Sequence, residues 1–299
     1  VSFMTAFALF LVLFAALVHA TWNIFLKKAR AGRAFWWVAY VVTAVVCLPI
    51  LLVVDPGSLS RITPQGWFVI CLSAPIHVIY GQILQYSYKK ADYSVVYPTA
   101  RGTGPLMTVI AAIVVLGEVP SSLGLLGIVC ILGGVIFLSL QGSSAKPGQN
   151  ADVRTGLFWG TVTGAFIAAY SFCDAWAVQQ QTGLTPLSFY FPSIAIRALI
   201  FAPFVLAQKG WKDEIRTLLT VPSQAKSLAI VTVGSPLAYI TVLFAMTMAP
   251  LAYVAPTRET GMMLGVVLGA LFLKEKMNAV RLIGVAAMTL GVVLIGYGG

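Results

Sequence analysis

The chain is poor in charge. Only 9% of its 299 residues are Asp, Glu, Lys or Arg, where soluble proteins carry about 25%. A soluble domain needs a hydrated, charged surface, and these residues cannot supply one. Acidic groups are scarcest, nine against nineteen basic ones, which leaves no cluster of carboxylates for paired acid–base chemistry. Four cysteines and two histidines complete the short inventory. Cys47, Cys71, Cys130 and Cys173 stand singly in apolar stretches, with no CxxC pair. They read as buried thiols and exclude a disulfide framework. His19 and His77 have no carboxylate or cysteine at ligand spacing, so no metal is expected. No glycine-rich phosphate loop is present, so the chain alone does not drive transport with ATP, and no cofactor is expected. The net charge of +10 is spread over short loops rather than gathered in a patch. It therefore points to anionic lipid headgroups and away from nucleic acid.

What the chain has instead is apolar length. Hydrophobic residues make up 59% and the mean hydropathy is +0.92. A membrane-spanning helix needs about 20 such residues. Ten segments qualify, over 4–26, 35–54, 67–87, 94–116, 121–141, 155–178, 187–207, 226–247, 253–273 and 280–297. Strands are a poor alternative, because an open sheet cannot satisfy its backbone in lipid. The expected fold is thus an all-α integral membrane protein with ten transmembrane helices. The first segment lacks a basic n-region and a small-residue cleavage site, and reads as a retained helix. The stretch 142–154 (around SSAKPGQNAD) reads as a cytoplasmic linker, and WKDEIRTLL, from Trp211, as an amphipathic helix at the membrane surface.

Basic residues punctuate every second connection. Lys27, Lys28, Arg30, Arg33, Lys89, Lys90, Lys146, Arg154, Lys209, Lys212, Arg216, Lys226, Lys274, Lys276 and Arg281 fall on one side, and Arg61 alone on the other. The positive-inside rule puts the first set in the cytoplasm and both termini outside it.

The chain also repeats itself at a spacing of about 157 residues. Tyr97-Pro98-Thr99 returns as Ala255-Pro256-Thr257, Arg101 as Arg258, Gly127 as Gly284 and Gly134 as Gly291; Leu116-Gly117-Glu118 returns loosely as Leu273-Lys274-Glu275. At the front, His19 and Asn23 match Tyr170 and Asp174. Five helices per half enter the membrane in opposite senses, which makes an inverted-topology repeat over 1–141 and 155–299. This layout, with Tyr97-Pro98, the Leu116-Gly117-Glu118 turn, Gly127, Gly133-Gly134 and the His19-Ala20-Thr21-Trp22-Asn23 stretch, resembles the EamA-type branch of the drug/metabolite transporter superfamily. The second copy departs from that pattern at Lys274. The resemblance implies an inner-membrane carrier and, by similarity to YddG-type proteins, export of amino acids, aromatic ones included. Many relatives have cytoplasmic termini; the charge pattern of this chain predicts the reverse.

Charged side chains inside lipid are costly, about 2.5–3.5 kcal/mol each on insertion scales, so those present face a partner or a watery path. They are Arg101, Asp174, Arg197, Arg258 and Glu259, with Asp174–Arg258 or Glu259–Arg197 as expected pairs. His19, Trp22 and Asn23 share one helix face, and His77 and Tyr80 another, where Gly81 would permit close approach. With Tyr97, Tyr170, Tyr190 and Tyr239 these form a candidate substrate-binding wall. Trp36, Trp37, Trp67, Trp159 and Trp211 read as interface anchors. Pro98 and Pro256, at matching repeat positions, are candidate gating breaks. The glycines at 124, 127, 133, 134, 284 and 291 read as close helix contacts, to the scaffold or to a second copy, leaving monomer and homodimer open.

The expected function is secondary transport, by alternating access, of a small zwitterionic metabolite. Carriage of quaternary-ammonium or phosphonate cargo is the alternative, and a membrane enzyme is disfavoured because no catalytic cluster appears. Proton coupling would require a titratable group exposed in turn to both sides, for which Glu259 and Asp174 are the candidates.

Overall fold

The computed structural model describes residues 4–29, 32–140, 153–179, 182–273 and 277–298, and these are helical throughout, with no strand. The first five helices are α1 (Ala6–Lys28), α2 (Arg33–Val54), α3 (Pro64–Lys90), α4 (Tyr93–Val114) and α5 (Ser122–Leu140). The next five are α6 (Val153–Gln179), α7 (Pro186–Leu206), the short α8 (Trp211–Thr220), α9 (Pro222–Met246) and α10 (Leu251–Arg258). Then come α11 (Thr260–Leu273) and α12 (Ala279–Gly298). Local chemistry sets several starts. Thr63 accepts the backbone N–H of Gly66 and is followed by Pro64, and Thr185 with Ser188 forms a reciprocal capping box ahead of Pro186.

Eight of the helices (α1, α2, α3, α5, α6, α7, α9 and α12) are long and apolar enough to cross a membrane. α4 has the length, 22 residues, but carries Arg101, Pro98 and Pro105 and falls short in apolarity. The segment expected at 253–273 is two helices. α10 ends at Arg258, where Glu259 folds its N–H back to the carbonyls of Pro256 and Thr257. Pro256 brings no N–H to the ladder, and the backbone tightens and breaks just after it. Pro98 leaves α4 continuous, so the proline recurs in the repeat and the break does not. Outward faces are apolar: Phe7, Phe10, Val45, Val53, Phe68 and Leu199 are each more than half exposed, a belt suited to hydrocarbon.

Packing follows the repeat. α3 lies on α6 as α9 lies on α1; α4 lies on α6 as α10 and α11 lie on α1; α2 meets α7 and α5 meets α12. At the last contact a Cβ on Gly127 would stand 2.8 Å from the Gly291 carbonyl oxygen, and one on Gly134 2.7 Å from that of Gly284. Ascending numbers meet descending ones, so α5 and α12 run antiparallel. Each repeat-equivalent glycine contacts the other's partner, the signature of a two-fold relation.

Some expectations change. Gly133 meets nothing within 4 Å, whereas Gly124 makes the expected close contact, on Tyr253 of α10. Cys71 is exposed and the other three cysteines are half-buried, Cys47 packing against the edge of the core. The amphipathic segment is helical, as α8, and buries Leu218 in a cluster with Phe35 and Leu228. Helix α6 begins at Val153, inside the expected linker. The rest of that linker, 142–152, and the Lys274-Glu275-Lys276 turn lie outside the described residues.

Candidate functional site

A cavity of about 490 Å³ lies between the two halves. Helix α1 contributes His19, Trp22, Asn23 and Leu26; α2 Trp36 and Tyr40; α3 the face His77, Tyr80, Gly81, Gln82, Gln85 and Tyr88. Arg101 enters from α4, Tyr170 from α6, Tyr190, Ile194, Arg197 and Phe201 from α7, Ser235 and Tyr239 from α9, and Arg258 and Glu259 from the α10–α11 break. Ten of the twelve residues expected to bind substrate therefore meet in one wall.

Asp174 and Tyr97 do not. Asp174 is fully buried behind the wall. One oxygen accepts the Ser73 hydroxyl; the other accepts the Tyr239 hydroxyl and stands 2.8 Å from His77 Nε2. A carboxylate only accepts, so this pairing places the hydrogen on Nε2. Asp174 thus orients two cavity side chains, His77 and Tyr239, and touches the cavity only through them. Tyr97 stacks on Tyr93 at 5.0 Å, and the Arg101 guanidinium stands 5.4 Å from its ring; it backs Arg101 from outside the wall. Pro98 and Pro256 do not line the cavity either.

The expected ion pairs are replaced. Arg101 Nη1 reaches the two Glu259 oxygens at 3.2 and 3.4 Å. Arg258 stands 5.8 Å over the Tyr239 ring. Arg197 donates from Nη2 to Ser193 Oγ at 3.1 Å. The pairing differs because depth along a helix says nothing about azimuth: α4 and the α10–α11 break meet across the cavity, while Asp174 turns towards α3.

Aromatic rings tile the rest. His77 stacks on Tyr170 at 4.2 Å and meets Tyr239 edge-on at 5.6 Å, while Tyr80 leans on Tyr170 at 5.3 Å. A second run passes from His19 to Trp22, Trp36, Tyr40 and Phe201 with centroids 4.8–6.5 Å apart. Trp36 is therefore a wall residue and not an interface anchor. Gly81 allows no close approach, since nothing lies within 4 Å of a Cβ placed there; its missing side chain widens the cavity. The sequence reading missed Tyr40, Gln82, Gln85, Tyr88 and Ser235. For α3 the signal was there: the face through His77 and Tyr80 continues by steps of three and four to Gln85 and Tyr88.

The cavity runs from mid-helix to one end only. Leu26, Trp36, Gln85, Tyr88 and Phe201 lie towards the helix ends that carry the basic loops. The other end is stitched by hydrogen bonds between the two halves. Thr182 O accepts both the N–H of Thr63, at 3.1 Å, and its hydroxyl, at 2.9 Å. Glu118 accepts the N–H groups of Leu251 and Ala252 at 2.7 and 2.8 Å, at the start of α10, and the N–H of Ser121 donates to Tyr253 Oη at 2.9 Å. Burial lifts the Glu118 carboxyl above its ordinary range, against the two N–H bonds that favour its charge.

A helical membrane fold with a polar-lined cavity between two related halves, sealed at one end, is the architecture of a carrier. The sequence profile of the EamA-like transporter family matches residues 6–140 and 154–297, one unit in each half, and the chain belongs to that family. It is accordingly a multi-pass membrane transporter of the drug/metabolite superfamily. A crystal structure of a protein 16% identical to it superposes with a TM-score of 0.74, covering 97% of this chain and 96% of that one, and shares its fold. No curated protein sequence matches the chain significantly.

Proposed function

We propose that the chain is a secondary carrier that exports small zwitterionic metabolites, amino acids with aromatic side chains among them, by alternating access across the inner membrane. One observation carries this reading. The cavity wall combines guanidinium groups, hydrogen-bond acceptors at Glu259, Gln82 and Gln85, and extended aromatic surface. A carboxylate, an ammonium and an apolar side chain each find a complementary surface there. Choline-like cations fit less well, because Arg197 and Arg258 share the wall and a quaternary ammonium has no N–H to donate to these acceptors. In this reading α4, and α10 with α11, complete ten crossings in two inverted units, 1–141 and 155–299. The basic loops are cytoplasmic and both termini lie outside. Pro256, beside the break, serves as a gating hinge.

Counterflow of labelled amino acids in proteoliposomes tests the proposal. Saturable exchange of phenylalanine or branched amino acids is the expected result. Folded protein that exchanges none would overturn the amino-acid assignment. Repeating the assay under a pH gradient separates proton coupling, with Glu259 or Asp174 as its site, from facilitated exchange.

A further inference from the structure

We infer that Arg197 is the seat for an anionic group of the cargo, a carboxylate; the inference rests on the carrier reading of the same cavity. The three arginines in the wall differ in how they are satisfied. Arg101 has Glu259, and Arg258 has the Tyr239 face. Arg197 is 5% exposed, its Nη2 reaches only a neutral serine, and its buried Nε has no acceptor. Among the described residues no carboxylate lies within ion-pair distance of it. Asp174 is within its electrostatic reach, but the Asp174 oxygens are taken by Ser73, His77 and Tyr239.

A buried cation without a counter-ion is strongly unfavourable. A guanidinium also carries five donors in a fork that matches a carboxylate. Arg197 shares its helix face with Tyr190, Ile194 and Phe201, all in the wall. Across the aromatic run from Phe201 stands Trp22, 7% exposed, whose buried Nε1 is a second donor with no acceptor. Three guanidiniums against two carboxylates, Glu259 in the wall and Asp174 behind it, leave the site one positive charge in excess. Its unmet needs are all for an acceptor of negative charge.

The test is binding to the purified full chain, followed by quenching of tryptophan fluorescence, since Trp22 and Trp36 line the cavity. The probes are phenylalanine, 3-phenylpropionate, which lacks the ammonium, and 2-phenylethylamine, which lacks the carboxylate. Wild-type protein should prefer both carboxylates to the amine. Arg197→Gln should weaken both carboxylates at least about tenfold and bind the amine no more weakly than wild type does, and Arg197→Lys should recover part of the loss. If Arg197→Gln does not fold, Arg197→Lys is read against wild type, with carboxylate affinity several-fold weaker because the fork is gone. A folded Arg197→Gln with unchanged carboxylate affinity overturns the inference. So does wild-type preference for the amine, absence of carboxylate binding, or failure of both variants to fold, which would assign Arg197 to the scaffold. Binding of phenylpropionate but not phenylalanine would remove the amino-acid reading and leave the Arg197 seat standing.

Discussion

The pair of Arg101 and Glu259 shows how a charge is kept inside this protein. The two belong to different halves and meet at 3.2 Å, with side-chain exposures of 27% and 6%. Removing one partner of a buried pair strands the other and costs about 3–5 kcal/mol. Arg101 keeps some contact with the cavity, so the loss belongs at the lower end of that range. Glu259→Gln is therefore expected to melt well below wild type, and Arg101→Gln combined with Glu259→Gln to recover part of the difference. Thermal denaturation in detergent reads both. A double variant that melts lower than either single variant would mean that the two side chains stabilise the bundle independently.

Among the elements, α5 and α12 cross with their backbones in close approach. A Cβ on Gly291 would come within 2.6 Å of the Gly127 carbonyl oxygen, which is backbone and cannot rotate away. A Cβ on Gly133, in the same helix α5, meets nothing within 4 Å. Gly291→Ala should therefore lower the melting temperature, by the roughly 1–3 kcal/mol typical of overpacking. Gly133→Ala should raise it slightly, because alanine gains up to about 1 kcal/mol over glycine in a helix. Equal shifts for the two would show that the crossing has slack absent from this packing. The broken α10–α11 pair is the contrasting element. Arg258 and Glu259 line the cavity at that break, whereas Arg101, the repeat counterpart of Arg258, lines it from the continuous α4.

For the whole molecule, the sealed end is the feature that alternating access must undo. The Thr63–Thr182 bonds join the two halves there. In a background without cysteines, Thr63→Cys and Thr182→Cys bridged by a short bifunctional thiol reagent should stop exchange while cavity binding persists. A membrane-impermeant reagent added to intact cells should suffice, because the proposed orientation puts this end outside. Bridging only after lysis would reverse the orientation, and full flux in the bridged protein would exclude opening at this end. The Glu118 contact adds a pH signature to the same seam. Its carboxyl binds a proton more tightly folded than unfolded, so its contribution to stability is present below the unfolded pKa and is lost as pH rises through the folded one. The melting temperature of Glu118→Gln should lack that part of the pH profile.

Apolar length, the paired glycines and the alternating basic loops are properties of the chain itself. Lipid demands long helices with satisfied backbones, and a Cβ-free strip can be read at its repeat spacing wherever helices touch. That is why the membrane fold, the two related units and the glycine-lined close helix contacts were legible, and why His19 with Trp22, and His77 with Tyr80, stood out as polar or aromatic groups on shared faces. Which charge meets which was not legible. Helix rotation and the break at Glu259 bring Arg101 rather than Arg197 to the carboxylate, and turn Asp174 behind His77. They also move Tyr97 out of the wall and Trp36 into it. Those outcomes depend on azimuth and on distances between helices far apart in sequence, and only the packed bundle sets them.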